Sequence, residues 1–303
     1  MLWLILAFIN AAGYAICSFI DNYVTDVLFK GKNQEAIKIF SAVTYVLTSV
    51  VIWICFGMEN IDAPRIALLL GAGVLSSTAS IPYYRALTKE ETTTASIFLQ
   101  LTPVIYLIAD SLIFGENISL QQFLAFIIII MAPAVIAFSR RHKSARKLEL
   151  SAAAGFITYV VLAAASGLIT AHVGEGYQFT TIFAWFMFGR GVMDFIYYFT
   201  HKNWRKAYRR VSKKYPRQLY TSLIVSQVVF IFCEFAGRYA LTLESPALVS
   251  VVSNAGELIL VFILGIILSI IWPVFGREKL SRHIIVAHLI ATILAVTGII
   301  LLG

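Results

Sequence analysis

Long apolar runs separated by short polar segments make up almost the whole chain. Ten runs can be marked, each close to the ~20 residues that a helix needs to cross a bilayer. They cover 2–29, 37–57, 65–87, 92–114, 120–139, 150–172, 180–199, 219–242, 245–272 and 282–302. The short alternating segments typical of a membrane β-barrel do not occur. The pattern therefore predicts an all-α polytopic membrane protein with ten transmembrane helices.

The ninth run contains polar residues that share one helical face. Ser250, Ser253, Asn254 and Glu257 follow one another at intervals of three or one residues, so they fall at i, i+3, i+4 and i+7. A carboxylate near the centre of a bilayer costs about 2.5–3.5 kcal/mol on insertion scales, so Glu257 is expected to face a polar interior. No base lies three or four residues from Glu257. Its partner must therefore come from another helix or from a bound solute.

Charged residues in two other runs are candidates for the same site. Arg190 and Asp194 lie four residues apart in the seventh run, as do Glu234 and Arg238 in the eighth. Either each pair neutralises itself as a structural ion pair, or the pairs line a polar cavity and exchange partners with solute. The remaining candidates share polar faces of their predicted helices: Tyr14, Ser80, Tyr84, Ser96, Gln100 and Gln227.

Two further acids lie near the ends of their predicted helices. Asp21 shares a face of the first helix with Asn10 and Tyr14, and Asp110 follows Gln100 along the fourth. Contact with water at a helix end explains each acid without a role in a site, and a gating or interfacial role for Asp110 is the alternative. Neither is included among the predicted site residues.

An internal repeat relates the two halves of the chain. With an offset of 154 residues, Gln100 aligns with Asn254 in a similar polar pattern. The repeat predicts two halves, 1–143 and 144–303, each with five helices. Because five is odd, the second half is inverted relative to the first, as in many secondary transporters whose site lies near mid-membrane between the halves.

Three short motifs of the first half are found together in one group of membrane proteins: a tyrosine-rich helix end, a mid-span proline and a glycine–glutamate turn. They are Tyr83-Tyr84-Arg85-Ala86-Leu87, Leu101-Thr102-Pro103 and Phe114-Gly115-Glu116-Asn117-Ile118-Ser119. In these motifs the chain resembles the EamA-like family of the drug/metabolite transporter superfamily. The resemblance implies a central cavity lined by the first, third, fourth, sixth, eighth and ninth helices, with the fifth and tenth at the periphery. In the second half, Glu257 replaces the proline.

The distribution of basic residues among the loops indicates the membrane topology. The net charge is +8, yet apart from Arg65, Arg190 and Arg238 every Lys and Arg lies in an odd-numbered loop or within two residues of the end of the run beside it. Such bases indicate membrane topology and anionic lipid headgroups rather than nucleic acid. The positive-inside rule places both termini outside, whereas relatives of this kind keep both inside. The most basic stretch, 201–217, predicts either an amphipathic helix on anionic lipid or a solvated loop.

Signatures of enzymes and metal sites are absent from the sequence. It contains no Walker loop, no nucleophile motif and no metal-ligand spacing. We therefore expect no catalytic residue, no cofactor and no metal. The three cysteines lie in apolar runs without a paired spacing, so no disulfide framework is expected.

These features predict a secondary transporter, an exporter or exchanger, that moves a small polar metabolite by alternating access. More than three residues from the ends of the runs, acids outnumber bases by five to two. An amino-acid-like zwitterion or an organic cation is therefore favoured over a phosphorylated solute. Glu257 and Glu234 are the candidates for proton coupling, because removal from water generally favours a protonated carboxyl group. The short loops suggest a bacterial inner membrane, with the protein as monomer or homodimer. The alternative is a non-transporting interaction or lipid-handling protein.

Overall fold

The computed structural model describes residues 1–90, 92–114, 119–139, 149–174, 176–272 and 282–302, and no strand occurs among them. The helices are α1 (Leu2–Asn22), α2 (Lys38–Phe56), α3 (Ala63–Leu87), α4 (Thr92–Leu99), α5 (Thr102–Phe114), α6 (Leu120–Ser139), α7 (Leu150–Gly174), α8 (Phe179–Thr200), α9 (Lys202–Lys214), α10 (Pro216–Leu243), α11 (Pro246–Ile271) and α12 (Arg282–Leu302). A π-helical turn, Tyr23–Leu28, extends α1, and a 3-10 turn, Gln34–Ile37, precedes α2.

Each predicted run corresponds to helix in the described residues. The fourth run is divided, because α4 ends at Leu99 and α5 begins at Thr102, next to Pro103. Proline has no backbone N–H to donate, which accounts for the interruption. Within the described ranges, seven segments are long and apolar enough to cross a membrane, and they contain α1, α2, α3, α7, α8, α10 and α11. The chain is therefore an integral membrane protein.

Small residues on one face of α1 bring α11 close. Ala7, Ala11 and Ala15 recur every four residues and are fully buried. A Cβ added at Gly256 of α11 would lie only 3.0 Å from Cβ of Ala11, and the Ser253 hydroxyl donates to the Ala7 carbonyl at 3.3 Å. Small side chains allow membrane helices to approach this closely. The polar face of α11 is thereby held in the centre of the molecule.

A second face of α1 packs antiparallel against α10. Asn10 Nδ2 donates to the Cys233 carbonyl at 2.8 Å, and Cys17 Sγ lies 3.4 Å from the Ser226 carbonyl. The residue numbers of the contacting pairs increase along α1 and decrease along α10, so the two helices are antiparallel. Polar residues of both helices therefore lie opposite each other over several turns.

The remaining helices complete a shell around these contacts. α3 packs between α7 and α8 and α2 packs on α8, whereas α6 and α12 pack mainly on each other at the periphery. On one side, the segment before α2 is joined to the end of α3 by Arg85 and Glu35 at 2.5 Å, and Lys89 reaches Glu149 at 2.6 Å. These pairs bring odd-numbered loops together on one side of the molecule.

The basic stretch forms α9, as one of the two sequence interpretations predicts. Trp204, Ala207 and Val211 are buried in a cluster with residues of the turns before α2. Lys206 and Arg210 are exposed on the opposite side. The bases at 140–147 and at 277–279, together with the glycine–glutamate motif at 115–118, lie outside the described residues.

Candidate functional site

Two adjoining cavities lie in the middle of the helix bundle. The larger chamber has a volume of about 130 Å³ and the smaller chamber about 60 Å³. Both are lined by Tyr14, Ser76, Leu99, Tyr159 and Glu257, so the chambers meet at these residues. Glu257, the acid that the sequence singles out, therefore lies at the junction.

The chambers extend along α1 on both sides of this junction. Asn10 lines the larger chamber and Asp21 the smaller one, a separation of about 16 Å at 1.5 Å per residue. Lining residues come from α1, α3, α4, α5, α7, α10 and α11, with Tyr45 of α2 and Arg190 of α8. The cavity expected from the resemblance is thus present, with these two helices added. Among the described residues, none from α6 or α12 lines it.

Glu257 is buried yet incompletely bonded. Its side chain is 5% exposed and lies beside the Ser96 side chain. Oε1 has no hydrogen-bond partner within the described part of the chain, and no described base lies within ion-pair distance of the carboxyl group. An unsatisfied carboxylate oxygen in a cavity is a strong acceptor for a cationic or hydrogen-bond-donating group.

Two arginines share a single carboxylate at the wall of the chambers. Nε of Arg238 lies 2.7 Å from Oε1 of Glu234, and Nη1 of Arg190 lies 3.5 Å from the same atom. The Tyr14 hydroxyl also donates to Glu234. All three charged side chains are buried. The group therefore has one positive charge in excess, provided by two guanidinium groups that face one acid.

The remaining nitrogens of Arg238 are held by α7. Nη1 donates to Oγ1 of Thr170 at 2.5 Å, and Nη2 donates to Oγ of Ser166 at 3.0 Å. The guanidinium lies 3.6 Å from the ring centroid of Phe186, a favourable cation–π contact. Arg190 lies 4.6 Å from the centroids of Tyr45 and Phe230, but its Nε has no hydrogen-bond partner among the described residues. Arg190 is thus the less completely bonded arginine.

The interpretation of Arg190 and Asp194 as a local ion pair is wrong. Nζ of Lys38 lies 2.7 Å from Oδ1 of Asp194, and the Ser77 hydroxyl donates to the same oxygen at 2.5 Å. Nζ also donates to the Ser77 carbonyl and to Oγ of Ser80. Lys38 and Asp194 are 3% and 0% exposed. Asp194 therefore belongs to a buried pair between α2 and α8, whereas the spacing of Glu234 and Arg238 does give a local pair.

Lys38 is the charged residue that the sequence pattern misplaces. Its position at the edge of an apolar run suggests a loop base, yet it begins α2 and is buried. Among the described residues it adds a third buried base to Arg190 and Arg238. The side chain of Asp110 lies outside the described residues.

The repeat-related residues Gln100 and Asn254 contact each other. Nε2 of Gln100 donates to the Asn254 carbonyl at 3.0 Å, and Nδ2 of Asn254 donates to the Leu99 carbonyl at 3.2 Å. Each side-chain amide thus donates to a backbone carbonyl of the other segment, at Asn254 itself and at Leu99 next to Gln100. The contact joins α11 to the interruption between α4 and α5.

Most predicted site residues line a chamber, although not all of them do. In the larger chamber are Tyr14, Glu234, Arg238, Ser250, Asn254 and Glu257, and in the smaller are Tyr14, Ser80, Tyr84, Arg190, Gln227 and Glu257. Ser96, Gln100 and Asp194 lie outside both linings. Ser96 lies beside Glu257, and Asp194 pairs with Lys38, which donates to Ser80 of the smaller chamber.

The structure adds lining residues that the sequence pattern did not select. Asp21 lines the smaller chamber, where Oδ1 accepts from Ser226 Oγ at 3.0 Å and Tyr84 lies beside the carboxyl group. Tyr159 of α7 lines both chambers. The shared face of Asn10, Tyr14 and Asp21 on α1 was the available signal for Asp21. A lone tyrosine in an apolar run gives no comparable signal for Tyr159.

Comparisons with known proteins agree with this architecture. The model of the EamA-like transporter family matches residues 1–138, which confirms the resemblance to that family of the drug/metabolite transporter superfamily. Chains of solved structures also match the fold. One crystal structure has a TM-score of 0.57 and 13% identity, covering 96% of this chain and 95% of its own; at that identity it shows the fold alone. No curated protein sequence matches.

Proposed function

Because residues 1–138 match the EamA-like transporter family, we propose that this membrane protein is a secondary transporter of a small zwitterionic or cationic metabolite. The central observation is the unpartnered oxygen of Glu257 where the two chambers meet. The solute binds between Glu257 and the arginine pair, and it moves by alternating access as an export or exchange substrate. The absence of enzyme signatures in the sequence is also consistent with a membrane transporter of this family.

We further propose that the chain consists of two inverted five-helix repeats, 1–143 and 144–303. Packing supports this arrangement, because related helix pairs make related contacts. α3 packs on α7 as α10 packs on α1, while α2 with α8 and α6 with α12 pair across the two halves. The reciprocal bonds of Gln100 and Asn254 fit a pseudo-two-fold axis at that point. The interruption beside Pro103 then provides a flexible element at the interface.

The charges around the chambers favour a zwitterion over a phosphorylated solute. Arg190 and Arg238 share Glu234, which leaves one positive charge, whereas Glu257 has no described basic partner. A carboxylate of the solute is attracted to the arginine pair and an ammonium to Glu257. A phosphate would require more free guanidinium groups than the site provides.

The same carboxyl group offers a route to proton coupling. A proton and a substrate ammonium compete for the same oxygen of Glu257, which binds only one of them at a time. Binding of substrate on one side and of a proton on the other then gives exchange. Glu234 is a weaker candidate for this role, because three donors already occupy it.

A binding screen followed by a flux assay tests the proposal. Purified protein is first screened by thermal shift against amino acids, polyamines and organic cations, since a ligand that binds the folded state raises its stability. Uptake of the best solute into proteoliposomes is then compared for wild type, Glu257→Gln and Glu244→Gln. Glu244 lies just before α11 and outside both chambers.

We expect Glu257→Gln to abolish most uptake and Glu244→Gln to preserve it. Uptake by Glu257→Gln at the wild-type rate and with the same pH profile overturns the assignment of the site. A lack of any solute response across the screen, in protein whose folding is verified, favours the alternative of a non-transporting lipid-handling protein.

The exposed bases of α9 support a lipid contact alongside transport. Lys206, Arg209 and Arg210 are exposed, and the buried face of the helix is fixed against the bundle. Each exposed base near an anionic surface contributes about 1 kcal/mol. We propose that α9 lies on the headgroups of the cytoplasmic leaflet of an inner membrane, which places both termini outside. Labelling of cysteines introduced at α9 from one side of the membrane checks this orientation.

A further inference from the structure

The smaller chamber contains a second acid that the proposed zwitterion does not use. Asp21 lines this chamber beyond Glu257, its carboxyl group accepts a hydrogen bond from Ser226, and Tyr84 lies beside it. No described base lies within ion-pair distance of Asp21. The bond from Ser226 positions one carboxyl oxygen, and among the described residues no base compensates the charge of the ionised group.

Aromatic rings surround the space between the two acids. The walls include Tyr14, Tyr45, Tyr83, Tyr84, Tyr159 and Phe230. Aromatic faces attract an ammonium or guanidinium group within about 6 Å of the ring centroid. The lining is therefore suited to an alkyl chain that ends in a cation, because the rings contact the chain and the acid contacts the charge.

The charges of the two chambers define the charge of the guest. The arginine pair with Glu234 leaves one positive charge, and Lys38 with Asp194 is neutral as a pair. When ionised, Glu257 and Asp21 add two negative charges, and the described lining is then one unit negative. A guest with one carboxylate and two cationic groups has the complementary charge of plus one.

The length of the smaller chamber agrees with such a guest. Tyr14, at the junction, and Asp21 are seven residues apart on α1, which is about 10 Å along the helix axis. An extended side chain of four methylenes and an amine spans about 6 Å from its α-carbon. One hydrogen-bond length of about 3 Å at its end then brings the terminal amine to Asp21.

Resting on the proposed transport function, we propose that the substrate is a basic amino acid or a closely similar dibasic zwitterion. Its carboxylate lies at Arg190 and Arg238, its α-ammonium at Glu257, and its side-chain cation at Asp21. Asp21 is thereby the residue that selects a cationic side chain over a neutral one of equal length.

Paired ligands that differ only in the terminal amine test this assignment. Binding and proteoliposome counterflow are measured with L-lysine and L-norleucine for wild type, Asp21→Asn and Asp21→Glu. Asp62→Asn is the matched control, because Asp62 is exposed and lies outside both chambers. Wild type is expected to prefer lysine by about tenfold or more, as for hydrogen bonds to a charged partner. Asp21→Asn removes that preference, while Asp21→Glu and Asp62→Asn retain it.

The outcomes separate this proposal from the transport proposal itself. Equal affinity of wild type for lysine and norleucine overturns the dibasic substrate and leaves a transporter of neutral zwitterions. A lysine preference that persists in Asp21→Asn overturns the role of Asp21. A failure of both ligands to bind overturns the dibasic substrate, and a failure of the whole solute screen overturns the transport function as well. Thermal unfolding of each variant verifies that it is folded.

Discussion

Replacement of Lys38 by methionine is expected to destabilise the protein strongly. The change removes the ammonium that lies 2.7 Å from Asp194 and that also donates to the Ser77 carbonyl at 2.8 Å. Asp194 is then a buried carboxylate without a base, and breaking a buried pair in this way costs about 3–5 kcal/mol. At about 2 °C per kcal/mol for a chain of this size, the unfolding midpoint falls by roughly 6–10 °C.

A double substitution separates the ion pair from the packing of the side chains. In Lys38→Met with Asp194→Leu no uncompensated charge remains, and apolar replacement of a buried pair is often close to neutral. We expect the double variant to regain at least half of the lost stability, measured by thermal unfolding in detergent. Lys32→Met, at an exposed lysine nearby, is the control. A Lys38→Met midpoint within about 1 °C of wild type, or a double variant no better than the single one, refutes the reasoning.

Three further predictions concern the packing of α3 on α8, the acid between the two arginines, and the exposed bases of α9. Gly73→Ala is expected to lower the free energy of unfolding by about 1–3 kcal/mol, because the added Cβ would lie against the backbone of α8. Gly71→Ala is the control, since its added Cβ meets nothing within 4 Å, and it should unfold like wild type. Glu234→Gln leaves two buried arginines without their acid, so we expect a drop of about 3–5 kcal/mol in stability together with loss of solute binding in the thermal-shift assay. Replacement of Arg209 and Arg210 by glutamine should weaken binding of the detergent-purified protein to anionic nanodiscs by about 1 kcal/mol per charge, with no effect on neutral ones. The first prediction is contradicted if the two glycine variants have equal stability. The second is contradicted if Glu234→Gln is as stable as wild type. The third is contradicted if the Arg209 and Arg210 replacement changes binding to anionic and neutral nanodiscs equally.

The sequence predicts well those features that are determined within a single helix. Apolar runs mark the helices because each must place apolar side chains against lipid or against other helices over the thickness of a bilayer. The polar face that ends at Glu257 is also a property of α11 alone, and the structure places all four of its residues on the larger chamber. The interruption next to Pro103 follows from its missing N–H.

The features that the sequence does not predict depend on contacts between helices. Asp194 has Arg190 four residues away, yet Lys38 of α2 is its partner, because α2 packs on α8 and brings Nζ within 2.7 Å. No spacing along the chain encodes that choice. Asp21 likewise resembles an ordinary helix-end acid until Ser226 of α10 is placed beside it. Spacing identifies the charged residues, and packing decides their partners.

The proposed transport mechanism depends most on Glu257 as the group that holds either the substrate or a proton. The direct test is solute-driven proton movement in proteoliposomes, recorded with an internal pH-sensitive dye after a solute gradient is imposed without a pH gradient. Wild type and Glu244→Gln are expected to move protons opposite to the solute, and Glu257→Gln to move none. Proton movement by Glu257→Gln at the wild-type rate would contradict the central claim.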